Sequence, residues 1–249
     1  MDNIRLKVPC YCIKDWESSS FDEVVTYGEK EKTTLKSRNE MPGLSYLAIS
    51  HELTICANAR IFGNDYGLGF SLDTIEKLRL ILKDLGIELN PDYAGESKLS
   101  VAHEKTDLLI EPTEIFDELV YLCPSKYART AYPNSYTFKN LNKSYNFIVN
   151  FYGKHHEMTK TNPKKYELSK TSPEPFKGVT RMETKCDGAK TVNWFYGTRN
   201  FKEILESKNN HQRIFNELIE GQPMKTKKMD LSQFKTITEL NHCKCQTAI

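Results

Sequence analysis

Strands that alternate with helices, two hairpin-like steps and one strongly amphipathic helix predict an α+β fold: an antiparallel sheet with helices packed on one face, and a helical appendage at the C-terminus. The division expected is a main domain over residues 1–186 and the appendage over 187–249. The first strand is Ile4 to Val8, where apolar and basic residues alternate. Residues 13–42 are polar, charged and weakly periodic, which predicts a long excursion from the sheet. Leu47, Ile49, Leu53 and Ile55 predict two strands within Leu44–Ala57, joined at Ser50-His51-Glu52. Gly63-Asn64-Asp65-Tyr66-Gly67 has the composition of a turn.

The clearest helix follows Phe70. Ser71 suits the N-cap, Asp73 complements the helix N-terminus and Gly86 stands where a terminating glycine belongs. Leu72, Ile75, Leu78, Leu82 and Leu85 recur at three- and four-residue steps and make one apolar stripe. Leu99–Ile110 then predicts a strand and Pro112–Leu122 a second helix. Tyr136–Phe138 and Tyr145–Tyr152 predict a hairpin across Lys139–Lys143. Residues 158–177, rich in Lys, Thr, Ser and Pro, predict an exposed connection. A strand over Val179–Lys185 and helices near Phe201–Ser207 and Gln212–Glu220 complete the series.

The chain has 249 residues, 39% hydrophobic and 27% charged, enough to bury a core. Its 35 Lys+Arg against 33 Asp+Glu leave a net charge of +2, which argues against a uniformly basic nucleic-acid binder but leaves local patches open. No run approaches the roughly 20 apolar residues of a membrane span, and the first residues lack a secretory apolar region. A cytoplasmic protein that meets no membrane is the expectation. The seven cysteines fit a reducing compartment. Cys10/Cys12 and His242-Cys243-Lys244-Cys245 form two C-x-C pairs, a weak zinc signal because the usual spacing is wider.

Chemistry concentrates in Tyr145–Glu157. As a strand it sets Phe147, Val149 and Phe151 on a core face, and Asn146, Ile148, Asn150 and Tyr152 on a polar one. Gly153 can bend the chain so that Lys154 and Glu157 share the neighbourhood of Tyr152. In Val179–Lys185 the period of two puts Arg181, Glu183 and Lys185 on one face. Asp107 sits in an otherwise apolar stretch and needs a partner or a purpose. A tyrosine nucleophile beside carboxylates and cations suits phosphoryl transfer. Carboxylates hold Mg²⁺ or Mn²⁺, and Lys154 or Arg181 favours the tyrosinate or neutralises charge in the transition state. The same spacing also fits a surface ladder of salt bridges around a packed ring.

Tyr-Gly-Lys-His-His-Glu at 152–157, followed by Thr-Arg-Met-Glu-Thr-Lys at 180–185, resembles the paired signature of the gene II/X family, replication initiators of filamentous phages and small plasmids. The opening Asp2–Pro9, the Asn58–Asp65 turn with the helix after Ser71, and Lys105-Thr106-Asp107-Leu108 resemble further family segments in the same order, across roughly residues 1–186. Two departures stand out. Lys105 replaces the family's arginine before the strand aspartate, and His155 and His156 are adjacent rather than separated by an apolar residue. The resemblance implies a rolling-circle initiator that binds an origin and nicks one DNA strand. Tyr152 would join the 5′ phosphate, and the phosphotyrosine would later allow rejoining. It implies a catalytic domain over 1–186, with Tyr152, Lys154 and Arg181 catalytic. Asp107, Glu157 and Glu183 would be the metal ligands, with His103 a further candidate.

Local charge agrees with a DNA partner. Lys139–Cys186 holds ten Lys/Arg and four Asp/Glu, a balance of +6, whereas Leu72–Leu119 holds five and twelve, or −7. Lys139, Lys143, Lys160, Lys164, Lys165 and Lys185 are the expected DNA contacts. Tyr145, Tyr152, Tyr166 and Phe176 are the expected stacking residues. A homodimer and host replication proteins are compatible partners. The alternative is a non-catalytic binding module for single-stranded nucleic acid, or a structural protein of a mobile element.

Overall fold

A computed structural model describes residues 1–16, 23–27, 32–36, 43–47, 52–120, 125–168, 170–207, 214 and 218. Its strands are β1 (Asn3–Pro9), β2 (Ile13–Trp16), β3 (Glu23–Tyr27), β4 (Lys32–Lys36), β5 (Gly43–Leu47), β6 (Glu52–Asn58), β7 (Ile87–Leu89), β8 (Lys98–Leu108), β9 (Tyr127–Tyr132), β10 (Ser135–Asn140), β11 (Asn146–Gly153) and β12 (Thr180–Asp187). Its α-helices are α1 (Ile75–Asp84), α2 (Tyr93–Glu96), α3 (Pro112–Leu119), α4 (Lys154–His156), α5 (Pro163–Leu168), α6 (Ala189–Tyr196) and α7 (Phe201–Glu206). The fold class is α+β, and the registers from β1 to β11 are antiparallel.

The chain forms two compact units. One comprises Met1–His103 with Cys186–Ser207, the other Glu104–Lys185 with Lys208–Ile249, so residues 186–207 cluster with the N-terminal part of the chain.

In the first unit the strand order is β3-β4-β5-β6-β1-β8, and β2 pairs with β7. The alternation expected of β1 holds: Ile4, Leu6 and Val8 are buried and lie opposite Ala57, Ile55 and Leu53 of β6. Three strands, β2, β3 and β4, occupy the polar region 13–42 that was expected to leave the sheet. Val24, Val25, Thr26, Thr33 and Thr34 are β-branched residues that favour strands without an apolar alternation to announce them. The two strands expected in 44–57 are β5 and β6; Ser50 and His51 lie outside the described residues. The glycine-rich segment 63–67 lies within a 3₁₀ stretch, Ala59–Leu68, kinked at Gly63.

The helix after Ser71 begins as a 3₁₀ turn and continues as α1. Its Ser71 N–H donates to Thr74 Oγ1 at 2.8 Å. Leu78 and Leu82 are buried, but Leu72, expected in the apolar stripe, is exposed. Gly86 has φ +87°, the left-handed conformation that ends the helix at low cost.

In the second unit the strand order is β8-β12-β11-β10-β9. The expected hairpin is β10–β11, and β9 adds an edge strand that the sequence did not announce. Phe147, Val149 and Phe151 are buried while Asn146, Ile148, Asn150 and Tyr152 are not, as the period of two predicts. Phe138 and Phe151 meet edge to face with centroids 6.1 Å apart, and Tyr136 on the same side meets Phe116 of α3 at 5.3 Å. Thus α3 covers one face of this sheet. The connection 158–177 is not simply exposed. It forms a π-helical turn over Glu157–Thr161, then α5, then a 3₁₀ turn at Glu174–Phe176, and it buries Met158, Tyr166 and Phe176. Among the described residues no helix is long and apolar enough to cross a membrane. Ile214 and Leu218, which fall in the range expected to be helical, are each helical and buried.

Candidate active site

Tyr152, Lys154 and Arg181, the acids Asp107, Glu157 and Glu183, and the six lysines expected to contact DNA all fall in the second unit. Strand β11 carries Tyr152 to its end, half-buried. Gly153 closes the strand: a Cβ there would come within 3.0 Å of Pro112 Cγ, so its lack of a side chain lets the chain pass α3. The Lys154 N–H then donates to the Val179 carbonyl at 3.0 Å, which anchors the start of α4 beside β12.

The Lys154 side chain is only 1% exposed. Its Nζ donates to Glu157 Oε2 at 2.6 Å and to Tyr166 Oη at 2.6 Å. The Tyr166 hydroxyl in turn donates to Glu157 Oε2 at 2.8 Å, and Asn162 Nδ2 donates to Glu157 Oε1 at 2.8 Å. The ammonium lies 4.6 Å from the centroid of the Tyr166 ring and 5.8 Å from that of Tyr152. The expected neighbourhood of Tyr152, Lys154 and Glu157 therefore exists. However, the tyrosine whose oxygen touches both charged groups is Tyr166, which the sequence offered only as a stacking ring.

Asp107 and Arg181 form the second buried pair. Arg181 Nε donates to Oδ1 at 2.6 Å and Nη2 to Oδ2 at 2.7 Å, a fork that engages both carboxylate oxygens. The guanidinium is fully buried and lies 5.6 Å from the Phe176 centroid. Burial pushes the Asp107 carboxyl up, but Arg181, with help from Lys105 and Lys154, outweighs it and leaves the pKa below its ordinary value. Glu157 follows the same rule. Burial raises it, and Lys154 together with bonds from Tyr166 and Asn162 brings it below the usual carboxylate range. Lys154 acts on both acids, so the two pairs form one charge-balanced network.

Glu183 is also buried, with Lys185 Nζ 3.4 Å away. The three expected metal ligands are thus each matched to a cation. Among the described residues, no group of three or more His, Cys, Asp or Glu side chains is placed to hold a metal ion. Mg²⁺ and Mn²⁺ need several carboxylate or carbonyl lone pairs directed at one point. Asp107 directs both of its oxygens at Arg181, and Glu157 accepts three hydrogen bonds. This donor set, as arranged, does not fit such an ion.

His103 does not supplement these acids either. It belongs to the first unit, where Nε2 lies 2.9 Å from Asp187 Oδ1 and Nδ1 3.2 Å from Asn3 Nδ2.

Of the expected nucleic-acid contacts, Lys139, Lys143, Lys160, Lys164 and Lys165 are exposed, and Lys185 is half-buried beside Glu183. Tyr166 and Phe176 are buried, so of the four expected stacking rings Tyr145 and Tyr152 retain accessible surface. Cys243 and Cys245, half of the zinc signal, lie outside the described residues. Comparison with known proteins gives no matching family model, no matching curated protein and no matching solved structure.

Proposed function

We propose that this chain is a DNA-nicking and joining protein of the rolling-circle type, acting in the cytoplasm, with Tyr152 as its nucleophile. The observation that carries this reading is the half-buried Tyr152 ring at the end of β11, with the buried Lys154 ammonium 5.8 Å from its centroid. An ammonium at that range sets a positive charge beside the ring, on the side from which the proposal brings a phosphate. In the proposed step a bond forms between Tyr152 Oη and phosphorus, and the bond from phosphorus to the 3′ oxygen breaks. The phenol proton leaves to solvent, and the departing oxygen takes one to become a 3′ hydroxyl. Reversal of the same exchange rejoins the strand. Glu157 and Tyr166 hold Lys154 in place, and the Asp107–Arg181 fork ties β8 to β12.

One observation favours the second reading, a binding module without chemistry. The acids and cations of the network satisfy one another, as a structural cluster would.

The two readings separate in one assay. End-labelled single-stranded DNA oligonucleotides are incubated with the protein, once with Mn²⁺ and once with EDTA, and resolved under denaturing conditions. The expected result is an adduct that survives denaturation in the wild-type protein and is absent in Tyr152→Phe. An adduct that persists in Tyr152→Phe removes Tyr152 from the role. No adduct with any oligonucleotide, despite measurable binding, supports the module.

A further inference from the structure

The registers of the three outer strands fix which side chains share the sheet face opposite α3. Directly paired residues of an antiparallel ladder point to the same side. Ser135 pairs with Tyr152 on one flank and with Tyr132 on the other, so Tyr132, Ser135 and Tyr152 form a row across β9, β10 and β11. Thr137 pairs with Asn150 and with Thr130, which makes the next row. Lys139 pairs with Ile148 and with Ala128, which makes a third. The opposite face holds Phe138, Val149 and Phe151, and Tyr136 on that side meets α3. Arg129, also on that side, donates to the Leu119 and Val120 carbonyls at the end of α3.

No residue of the three rows is fully buried, and Tyr132 is 57% exposed. The face carries aromatic rings, hydroxyls, an amide and a lysine, and none of its three rows contains a carboxylate. The sequence reinforces this. No Asp or Glu occurs between Glu118 and Glu157, while the exposed Lys126, Lys139 and Lys143 all do. Three exposed lysines without an acid among them complement a polyanion. Flat rings on an open sheet complement unpaired bases, because every base presents a π-face. Thr137 Oγ1 donates to Asn150 Oδ1 at 2.9 Å, which orients the amide with its NH₂ group as the remaining donor of that pair.

We infer that the β9–β11 face is a platform for an unpaired DNA strand. Bases stack on Tyr132 and beside Tyr152, Asn150 and Thr130 hydrogen-bond to base edges or sugars, and Lys139 neutralises phosphate. The platform rests on the nucleic-acid part of the reading above and not on the nicking step. The rows lead toward Tyr152, so a strand bound across them would present a phosphate to that residue.

The test is fluorescence anisotropy of the full chain with a labelled twenty-nucleotide oligothymidine, and with a duplex of the same length. The wild-type protein is expected to prefer the single strand. Tyr132→Ala should weaken that binding about tenfold, the scale of one lost base stack, while Tyr132→Phe, which keeps the ring, should bind as the wild type does. Lys139→Ala should reduce the slope of log affinity against log salt by about 0.7, the value for one phosphate contact to a single strand. Circular dichroism confirms that each variant is folded. Unchanged affinity in Tyr132→Ala, or equal affinity for the duplex, overturns the platform. Tyr152→Phe keeps the two proposals apart: it should lose the adduct and still bind oligothymidine. A protein that forms the adduct but is indifferent to Tyr132→Ala keeps the nicking reading and loses the platform.

Discussion

The two sides of the second unit spend their polar residues differently. Around Lys154 and Arg181, four charges and a tyrosine hydroxyl are withdrawn from water and bound to one another. Across β9–β11, the polar side chains are exposed or half-buried, and Thr137 donates to Asn150 in a neutral link. A buried charge must be matched, so the first group is constrained by its partners before any ligand arrives. No residue of the three rows on the open face is fully buried, so no such requirement falls on it. On the reading proposed above the labour is divided: the buried network fixes where the ends of β11 and β12 lie, and the open face would meet the DNA strand.

The sharpest way to break that contrast is to remove one charge from the buried side. Arg181→Met leaves Asp107 in a buried site without its chief partner, which should cost about 3–5 kcal/mol. Asp107→Asn combined with Arg181→Met should recover part of this, since the double variant leaves neither ion unmatched. Urea unfolding of the three proteins measures both numbers. A loss below about 1 kcal/mol in Arg181→Met would mean that water reaches the pair, and the two sides would not differ as described.

Acid should act on the same side. Asp107 and Glu157 have folded-state pKa values below their unfolded ones. Their contribution to stability is therefore complete above the unfolded values of about 3.9 and 4.3, and is lost as pH falls through the lowered folded values. The urea midpoint of the wild-type protein should lose this contribution progressively from about pH 5 downward. In Arg181→Met the sign reverses for Asp107. Without that guanidinium, burial pushes the carboxyl up, and protonation relieves the unmatched charge. The gap between variant and wild type should narrow as the solution is acidified. A gap that stays constant from pH 7 to pH 3 would show that Asp107 does not depend on Arg181.

How much of this the sequence disclosed follows from the range of each interaction. Strand β11 was legible because a period of two in Phe147, Val149 and Phe151 is a local signal. The closeness of Tyr152, Lys154 and Glu157 was legible because the first and the last are five positions apart. The Asp107–Arg181 fork joins residues 74 positions apart, and only the adjacency of β8 and β12 reveals it. The resemblance placed Asp107 among metal ligands, whereas the residues alone said that this acid needs a partner or a purpose. Arg181 is a partner. Tyr166 was hidden for a compositional reason: Lys, Thr, Ser and Pro in 158–177 read as exposed chain, yet Met158, Tyr166 and Phe176 bury one side of it. Strand β9, Tyr-Ala-Arg-Thr-Ala-Tyr, carries no apolar alternation because only its first residue is buried. That hid Tyr132, and with it the row that reaches Tyr152.

The smallest expected effect tests the open side on its own terms. Thr137→Val removes the hydroxyl that donates to Asn150 while keeping the β-branched shape that suits a strand. Both residues are only partly buried, so the Asn150 carbonyl can turn to water, and the loss of stability should stay below about 1 kcal/mol. The amide, however, loses the bond that orients it. If the face serves recognition, affinity for oligothymidine should fall by a few-fold while the urea midpoint barely moves. A large drop in stability with unchanged affinity would place Thr137 and Asn150 with the buried network, as groups that hold the sheet rather than meet a ligand. The ratio of the two effects, read in one variant, separates a recognition surface from a structural one more directly than either measurement alone.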